Sequence, residues 1–370
     1  MEKIKGRFGF GAMRLPMEKK KVDLEETRRM VDAFMAKGLN YFDTAHGYLG
    51  EQSEPALREA LTSRYPRESY FLTDKLSGEF YHKQEDIRPL IEKQLELCGV
   101  DSFDMVLLHA ITEQEFAKVK RCNAWTVLKE LRQEGKIRHL GFSFHDKAEV
   151  LEKVLSEFPD AEAVQIQLNY LDAQDAAVQS ELVRQVCVRH GKPVIVMEPC
   201  KGGSLAKLPP DAEAALSPLE NVDQPGLALR WAAGREGVMM VLSGMSNLEQ
   251  MESNLRSMAD PAPLTEEEEA AVERVADAFH RMGGIACTGC RYCISGCPMH
   301  IHIPDLFACK NSRDLFHNWN SDWYYTMNTK AGGKASDCIR CGKCEAACPQ
   351  HLPIRDLLAG LAAEYEKKKG

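Results

Sequence analysis

Residues 71–109 read FLTDKLSGEFYHKQEDIRPLIEKQLELCGVDSFDMVLLH. The stretch opens on a short apolar run, Phe71–Lys75, that ends in a lysine. An amphipathic segment follows, Glu85–Leu97, with apolar residues at helical spacing and Gly99 just beyond it. A second apolar run, Asp104–His109, ends in a histidine. Two short strands separated by a helical period make a strand–helix–strand unit, and a crossover helix of that kind joins parallel strands.

The same alternation continues on both sides. Further strands are predicted at Phe8–Met13, Leu39–Asp43, His139–Ser143, Ala163–Leu168, Pro193–Glu198 and Val238–Ser243. Helical patterns lie at Leu24–Lys37, Ala124–Glu134 and Leu151–Phe158. Eight strand–helix units are the count of an α/β (β/α)8 barrel, a TIM barrel. The alternative is an open doubly wound sheet, which favours a Gly-x-Gly-x-x-Gly turn after its first strand; Gly9-Phe-Gly11-Ala-Met-Arg14 lacks the third glycine.

The composition, 44% apolar and 28% charged, is that of a soluble globular protein. A net charge of −8 argues against a nucleic-acid partner, which favours a basic face. The acidic run Glu266–Glu269 and the basic run Lys367–Lys369 read as solvated surface. No secretory h-region or membrane span is evident, so a cytoplasmic location and no membrane partner are expected. Five cysteines outside any motif (Cys98, Cys122, Cys187, Cys200, Cys309) also suit a reducing compartment. Cys98, Trp125 and His139 read as packing residues. Cys200 lies near the pocket mouth and reads as a small buried hydrophobe.

Barrel enzymes place their chemistry at the C-terminal ends of the strands. Those ends supply Asp43, then Tyr48 in the next loop, Lys75 and His109. Together they fit one proton-transfer device. A phenol titrates near ~10, too high for a ready acid at neutral pH, and an adjacent ammonium lowers that value. Asp43 can offset the charge of Lys75. His109 can hydrogen-bond a carbonyl or pass a proton.

These segments resemble the aldo-keto reductase family over roughly residues 4–260. The resemblance is carried by Tyr41-Phe-Asp-Thr-Ala45 with Tyr48, Leu72-Thr-Asp-Lys75 and Leu107-Leu-His109. Glu134-Gly-Lys-Ile-Arg138 before Gly141-Phe-Ser143, and Ala228-Leu-Arg-Trp231, also carry it. It implies reversible hydride transfer between NAD(H) or NADP(H) and an aldehyde or ketone. Tyr48 would be the general acid, tuned by Lys75 and Asp43, with His109 orienting the carbonyl. It further implies cofactor contacts from Gly11, Ala12, Met13, Ser143, Gln167, Met197, Ser243, Gly244, Ser246, Gln250 and Asn254. Some positions depart from the family pattern. Phe144 stands where the family usually has Asn, and Met197-Glu198-Pro199 replaces an aromatic residue followed by Ser-Pro. Glu198 reads as the partner of a cation. No Lys or Arg lies between Ser243 and Asn254, Gln250 stands where Arg is common, and Arg256 follows just beyond. A 2′-phosphate calls for such cations, so NADH is expected over NADPH.

Thr265-Glu-Glu-Glu268 reads as a capping box opening a helix that Gly283-Gly284 ends. The expected division is therefore a barrel domain at 1–282 and a second domain at 283–370. The second contains Cys287-Thr-Gly-Cys290-Arg-Tyr-Cys293-Ile-Ser-Gly-Cys297-Pro298 and Cys338-Ile-Arg-Cys341-Gly-Lys-Cys344-Glu-Ala-Ala-Cys348-Pro349. Three thiolates at this spacing wrap one face of an iron–sulfur cube, and the fourth, before proline, ligates the other. The expected sets for two [4Fe-4S] clusters are Cys287, Cys290, Cys293 with Cys348, and Cys338, Cys341, Cys344 with Cys297. Structural zinc, the alternative, leaves the middle cysteine and the proline of each run without a role.

Residues Cys297–Phe307 and Cys348–Leu358 align as a duplication, with six identical positions in eleven. His300 and His351 fall at equivalent places, where they can tune a cluster or cap a helix. The long spacer, with Asn318-Trp-Asn-Ser-Asp-Trp-Tyr-Tyr325, resembles the helical ferredoxin type and offers aromatic rings to pack on the clusters or the barrel.

A nicotinamide moves electrons in pairs and a cube moves them singly, and flavins usually connect the two. Three readings follow. In one, the barrel is a carbonyl reductase with an attached electron-transfer port. In another, the chain passes electrons to a flavoprotein partner. In the third, ferredoxin-fed clusters reduce a substrate without nicotinamide.

Overall fold

The computed structural model describes residues 1–175, 178–316 and 321–366. Two compact units divide the chain: Met1–Gln174, Gln179–Pro199 and Pro225–Leu264 form the first, and Asp175–Val178, Cys200–Gln224 and Thr265–Gly370 the second.

The first unit is a closed barrel of eight parallel strands: β1 Phe8–Gly11, β2 Tyr41–Asp43, β3 Phe71–Leu76, β4 Phe103–Ile111, β5 Ile137–Phe144, β6 Val164–Gln167, β7 Val194–Met197 and β8 Val238–Gly244. Each predicted strand is present, with ends shifted by a few residues. Strand order follows chain order, and β1 closes on β8 through Phe10↔Ser243 and Gly11↔Gly244. The open-sheet alternative is therefore excluded.

Alternation along the strands sends one side chain in two to the interior. Tyr41, Phe71, Met105, Leu107, Ala163, Ile195, Met240 and Leu242 fill it as a buried cluster. Gly141 is needed there, because a Cβ at that position would lie 2.4 Å from the Ala163 carbonyl oxygen. Helices cover the outside. α1 Leu24–Ala36, capped by Asp23, buries Phe34 against the rings of Phe10 and Phe42 at 5.9 and 5.2 Å. α2 Ile87–Cys98 ends where Gly99 turns left-handed at φ 65°. Cys98 is buried on α2, and Trp125 stacks on Phe158 at 4.9 Å. Parallel pairing brings every strand's C-terminal end to one rim. Asp43, Lys75, His109, Ser143, Gln167, Met197 and Ser243 all sit on or within two residues of those ends.

In the second unit, Thr265 and Glu268 form the capping box of the helix Glu266–Met282, which Gly283 closes at φ 67°. The duplicated halves share their local geometry. Arg291 and Gly342 take left-handed φ values of 69° and 78° before the short helices Tyr292–Ser295 and Lys343–Ala346. His300 and His351 take φ values of 53° and 50° after the fourth cysteines. Their amides bond back to the Cys297 and Cys348 carbonyls at 3.1 Å each. The helices Ile303–Asp314 and Ile354–Tyr365 follow. Ile301, Ile303, Leu306, Phe307, Ile354, Leu358 and Leu361 join Cys293 and Cys344 in one core. Tyr325 joins this core and stacks on Tyr365 at 4.3 Å. The rest of the aromatic spacer at Asn318–Asn320, and the basic run Lys367–Lys369, lie outside the described residues. Among the described residues no helix is long and apolar enough to cross a membrane.

Candidate active site and cluster cavities

At the rim, Lys75 is fully buried, and its Nζ donates to Asp43 Oδ1 at 2.5 Å and to the Thr44 carbonyl at 2.7 Å. The second carboxylate oxygen of Asp43 accepts from Gln165 Nε2 at 3.0 Å. The ammonium lies 4.8 Å from the centre of the Tyr48 ring. Tyr48 is 9% exposed and meets the His109 ring edge-on at 5.8 Å. The four residues that sequence placed at separate strand ends are thus gathered in one cluster.

His109 Nδ1 lies 2.6 Å from Ser77 Oγ. Burial, reinforced by the positive charges of Lys75 and His145, holds the imidazole well below its usual value, so His109 is neutral. Gln165 and Ser77 were not singled out from sequence. Both lie two residues from a named position, Gln165 before Gln167 and Ser77 after Lys75. The period of two on a strand was the signal that could have found them.

Beneath the loop that carries Tyr48 runs a second buried polar chain. His46 Nδ1 lies 2.8 Å from Glu54 Oε2. Burial, then the neighbouring Glu54 carboxylate, raises the Asp74 carboxyl well above its usual range. Asp74 Oδ1 accepts from the Lys75 amide at 2.7 Å, and Oδ2 from the Cys98 thiol at 3.8 Å.

The residues expected to hold a dinucleotide share this rim. Ser143 Oγ accepts from the Ala110 amide at 2.7 Å. Gln167 Nε2 donates to Glu198 Oε2 at 3.3 Å, so the carboxylate that sequence read as a cation's partner meets an amide. Phe144 is buried and Met197 half-buried. Gly11 brings β1 close to β8, where a Cβ would lie 3.2 Å from the Ser243 carbonyl oxygen; Ala12 is buried and Met13 half-buried beside it. Asn254 Nδ2 donates to Ser243 Oγ at 3.0 Å. Gln250 Oε1 accepts from the Ser246 amide at 2.8 Å, and Gly244 lies open on the rim. Arg256 is exposed on the helix Leu248–Met258.

Cys200 lies in the second unit, where burial, with a contribution from Asp223, pushes its thiol up to about 12.

The eight motif cysteines divide between two cavities. Cys287, Cys290, Cys293 and Cys348 line one, together with Thr288, Phe307 and Gln350. Cys297, Cys338, Cys341 and Cys344 line the other, with Ile339 and Arg355. No disulfide joins any of the thirteen cysteines, all of which lie among the described residues. Each cavity gathers three cysteines of one run and the last cysteine of the other, the crossed pattern of two thiolate-held cubes, whereas a zinc ion leaves the middle cysteine of each run without a role. Burial, then the nearby sulfurs of Cys290, Cys287 and Cys348, pushes the Cys293 thiol up to about 12. Ionising it there requires a cation in the cavity, and cluster iron supplies one. Donor type, count and the crossed arrangement all fit the group. His300 and His351 are exposed at the turns beside these cavities.

Comparison with known proteins agrees with this division. Residues 7–277 match the aldo/keto reductase family and residues 286–352 the 4Fe-4S dicluster domain. L-galactose dehydrogenase of Arabidopsis thaliana is 26% identical over 72% of this chain and 88% of its own length. The NADH-specific methylglyoxal reductase of Escherichia coli is 25% identical over 66% and 85%. Among solved structures, the holo form of aldo-keto reductase AKR11C1 from Bacillus halodurans superposes with a TM-score of 0.61. It has 24% identity and covers 74% of this chain and 92% of that one. A parallel barrel with this rim, matched over most of its length, decides the assignment: the chain belongs to the aldo/keto reductase family and is an oxidoreductase whose barrel continues into a 4Fe-4S dicluster domain.

Proposed function

We propose that the barrel interconverts a small aldehyde or ketone and its alcohol, using NAD(P)H. The gathering of Asp43, Tyr48, Lys75 and His109 at one rim carries this reading. When bound, the nicotinamide supplies hydride to the carbonyl carbon. The Tyr48 hydroxyl gives its proton to the carbonyl oxygen. Two of the three Lys75 N–H groups are held by Asp43 and Thr44, and the third serves the phenol oxygen. The ammonium favours the phenolate that proton transfer leaves behind. The Ser77 hydroxyl occupies His109 Nδ1, so the neutral ring presents Nε2–H to the carbonyl. Ser143 Oγ accepts from Ala110, which leaves its O–H for the carboxamide, beside Gln167. Gly11, Ala12 and Met13 would line a bound dinucleotide, and Met197 would lie against its nicotinamide. Ser243, Gly244, Ser246, Gln250 and Asn254 hold the remainder. The absence of Lys and Arg between Ser243 and Asn254 favours NADH, as in the NADH-specific relative.

In the second domain, which we place from residue 283, Cys287, Cys290, Cys293 and Cys348 hold one [4Fe-4S] cluster. Cys338, Cys341, Cys344 and Cys297 hold the other. The clusters exchange single electrons with a separate flavoprotein or ferredoxin in a reducing cytoplasm. The solvent-exposed Cys341, beside an Ile339 that is 60% exposed, supports this port.

The test is anaerobic turnover of an aldehyde and ketone panel with NADH and NADPH. Tyr48→Phe should lower turnover by about a hundredfold or more, cluster-ligand variants should retain it, and NADH should bind more tightly. Turnover seen only with dithionite or reduced ferredoxin would replace this reading with cluster-driven reduction. Equal dissociation constants would remove the NADH preference.

A further inference from the structure

The chain enters the second unit at Cys200 and turns at once. Lys201, Gly202 and Gly203 all take positive φ, at 44°, 64° and 105°. Glycine does so without strain, whereas a lysine held there is strained. Gly202 also allows a close approach: a Cβ there would lie 2.4 Å from the carbonyl oxygen of Thr288, the neighbour of Cys287. The turn is thus built against the first cysteine run.

It buries a cation there. Lys201 is 4% exposed, and its Nζ donates to Gln350 Oε1 at 2.8 Å. Gln350 is equally buried, follows Cys348-Pro349, and lines the cavity of Cys287, Cys290, Cys293 and Cys348. Surface ion pairs flank both cavities. Arg291 meets Asp305 beside the first, while Arg340 meets Asp356 and Arg355 meets Glu345 beside the second, each at 2.7 Å. Solvent screens such pairs. The buried ammonium belongs to the first cavity, one side chain away from its wall.

We propose that Lys201 is a positioning residue that, through Gln350, raises the reduction potential of the cluster held by Cys287, Cys290, Cys293 and Cys348. This rests on the reading that both cavities hold clusters. Adding one electron to a cube adds one negative charge. A cation in a low-dielectric surrounding favours the reduced form, because water does not weaken its field. Among the described residues no buried cation lines the other cavity, where Cys341 is exposed and Arg340 and Arg355 reach solvent. Each electron that enters at the exposed cluster therefore passes inward, oxidising that cluster and reducing the one beside Lys201.

The test is an anaerobic dithionite titration of the full chain followed by electron paramagnetic resonance. The cluster beside Lys201 is identified by the signal that Cys290→Ser removes. Lys201→Met should lower its midpoint by at least the 59 mV that equals a tenfold change for one electron, with a smaller change at the other cluster. Lys201→Arg, which keeps the charge, should restore it. If Lys201→Met loses the cluster, Lys201→Gln serves instead, since it can still hydrogen-bond Gln350 without the charge. Unchanged midpoints in the charge-removing variant would overturn the inference while leaving the cluster reading intact. Wild-type protein without iron would overturn the cluster reading, and this inference with it.

Discussion

Asp43 holds Lys75 with one carboxylate oxygen and is held by Gln165 through the other. The ammonium that faces Tyr48 is therefore fixed from two other strands, β2 directly and β6 through Asp43. Gln165→Leu should leave folding and iron content unchanged but lower kcat by about tenfold, in the range typical of lost outer partners. Its pH–rate profile should shift on the alkaline side, where the phenol titrates. A profile that falls uniformly with pH would show that Gln165 merely packs.

Removing Asp43 is a different experiment. Asp43→Asn leaves the buried Lys75 ammonium without its counter-charge. Breaking a buried pair from one side costs about 3–5 kcal/mol. Denaturant unfolding should register that loss, and Lys75→Met combined with Asp43→Asn should recover part of it.

Tyr48→Phe should reduce kcat by about 10²–10⁴-fold, the contribution of a positioned acid. Dinucleotide affinity should change little. Fluorescence titration alongside steady-state kinetics separates the two.

His109 stays neutral in the folded protein, whereas its unfolded form gains a proton below about 6.5. The unfolded state then binds more protons, so this group costs stability as pH falls below that value. His109→Gln should narrow the decline in Tm between pH 7 and 5. The wild-type pH–rate profile should show no limb near 6.5.

Asp74 has the opposite sign. Its folded carboxyl is raised by burial and by Glu54, so the folded state binds the extra proton. Stability is then lost as pH rises above the ordinary carboxyl value of about 3.9. Asn has the shape of the protonated acid. It can still accept from the Lys75 amide and can donate to Glu54. Asp74→Asn should raise Tm at pH 7–8, and the gain should vanish near pH 4.

The division of labour between sequence and structure shows in particular residues. The eight strands were legible because period-two apolar runs alternate with helical ones. Asp43, Lys75 and His109 were legible because strand ends are where barrels place chemistry. Ser77, Gln165 and Lys201 were not. A serine, a glutamine and a lysine carry no signal of their own, and each acquires a role only from the group beside it.

The sequence by itself determined the barrel and the cysteine spacing, which follow from local periodicity that a linear chain records, and its motifs carried the resemblance to the family. Tertiary structure alone decided which carboxylate oxygen holds Lys75, which imidazole nitrogen meets Ser77, and that Lys201 lies buried beside Gln350. Those outcomes depend on distances between residues up to 149 positions apart. Hydrogen bonding and electrostatic bias act over a few ångströms, and chain separation does not encode them.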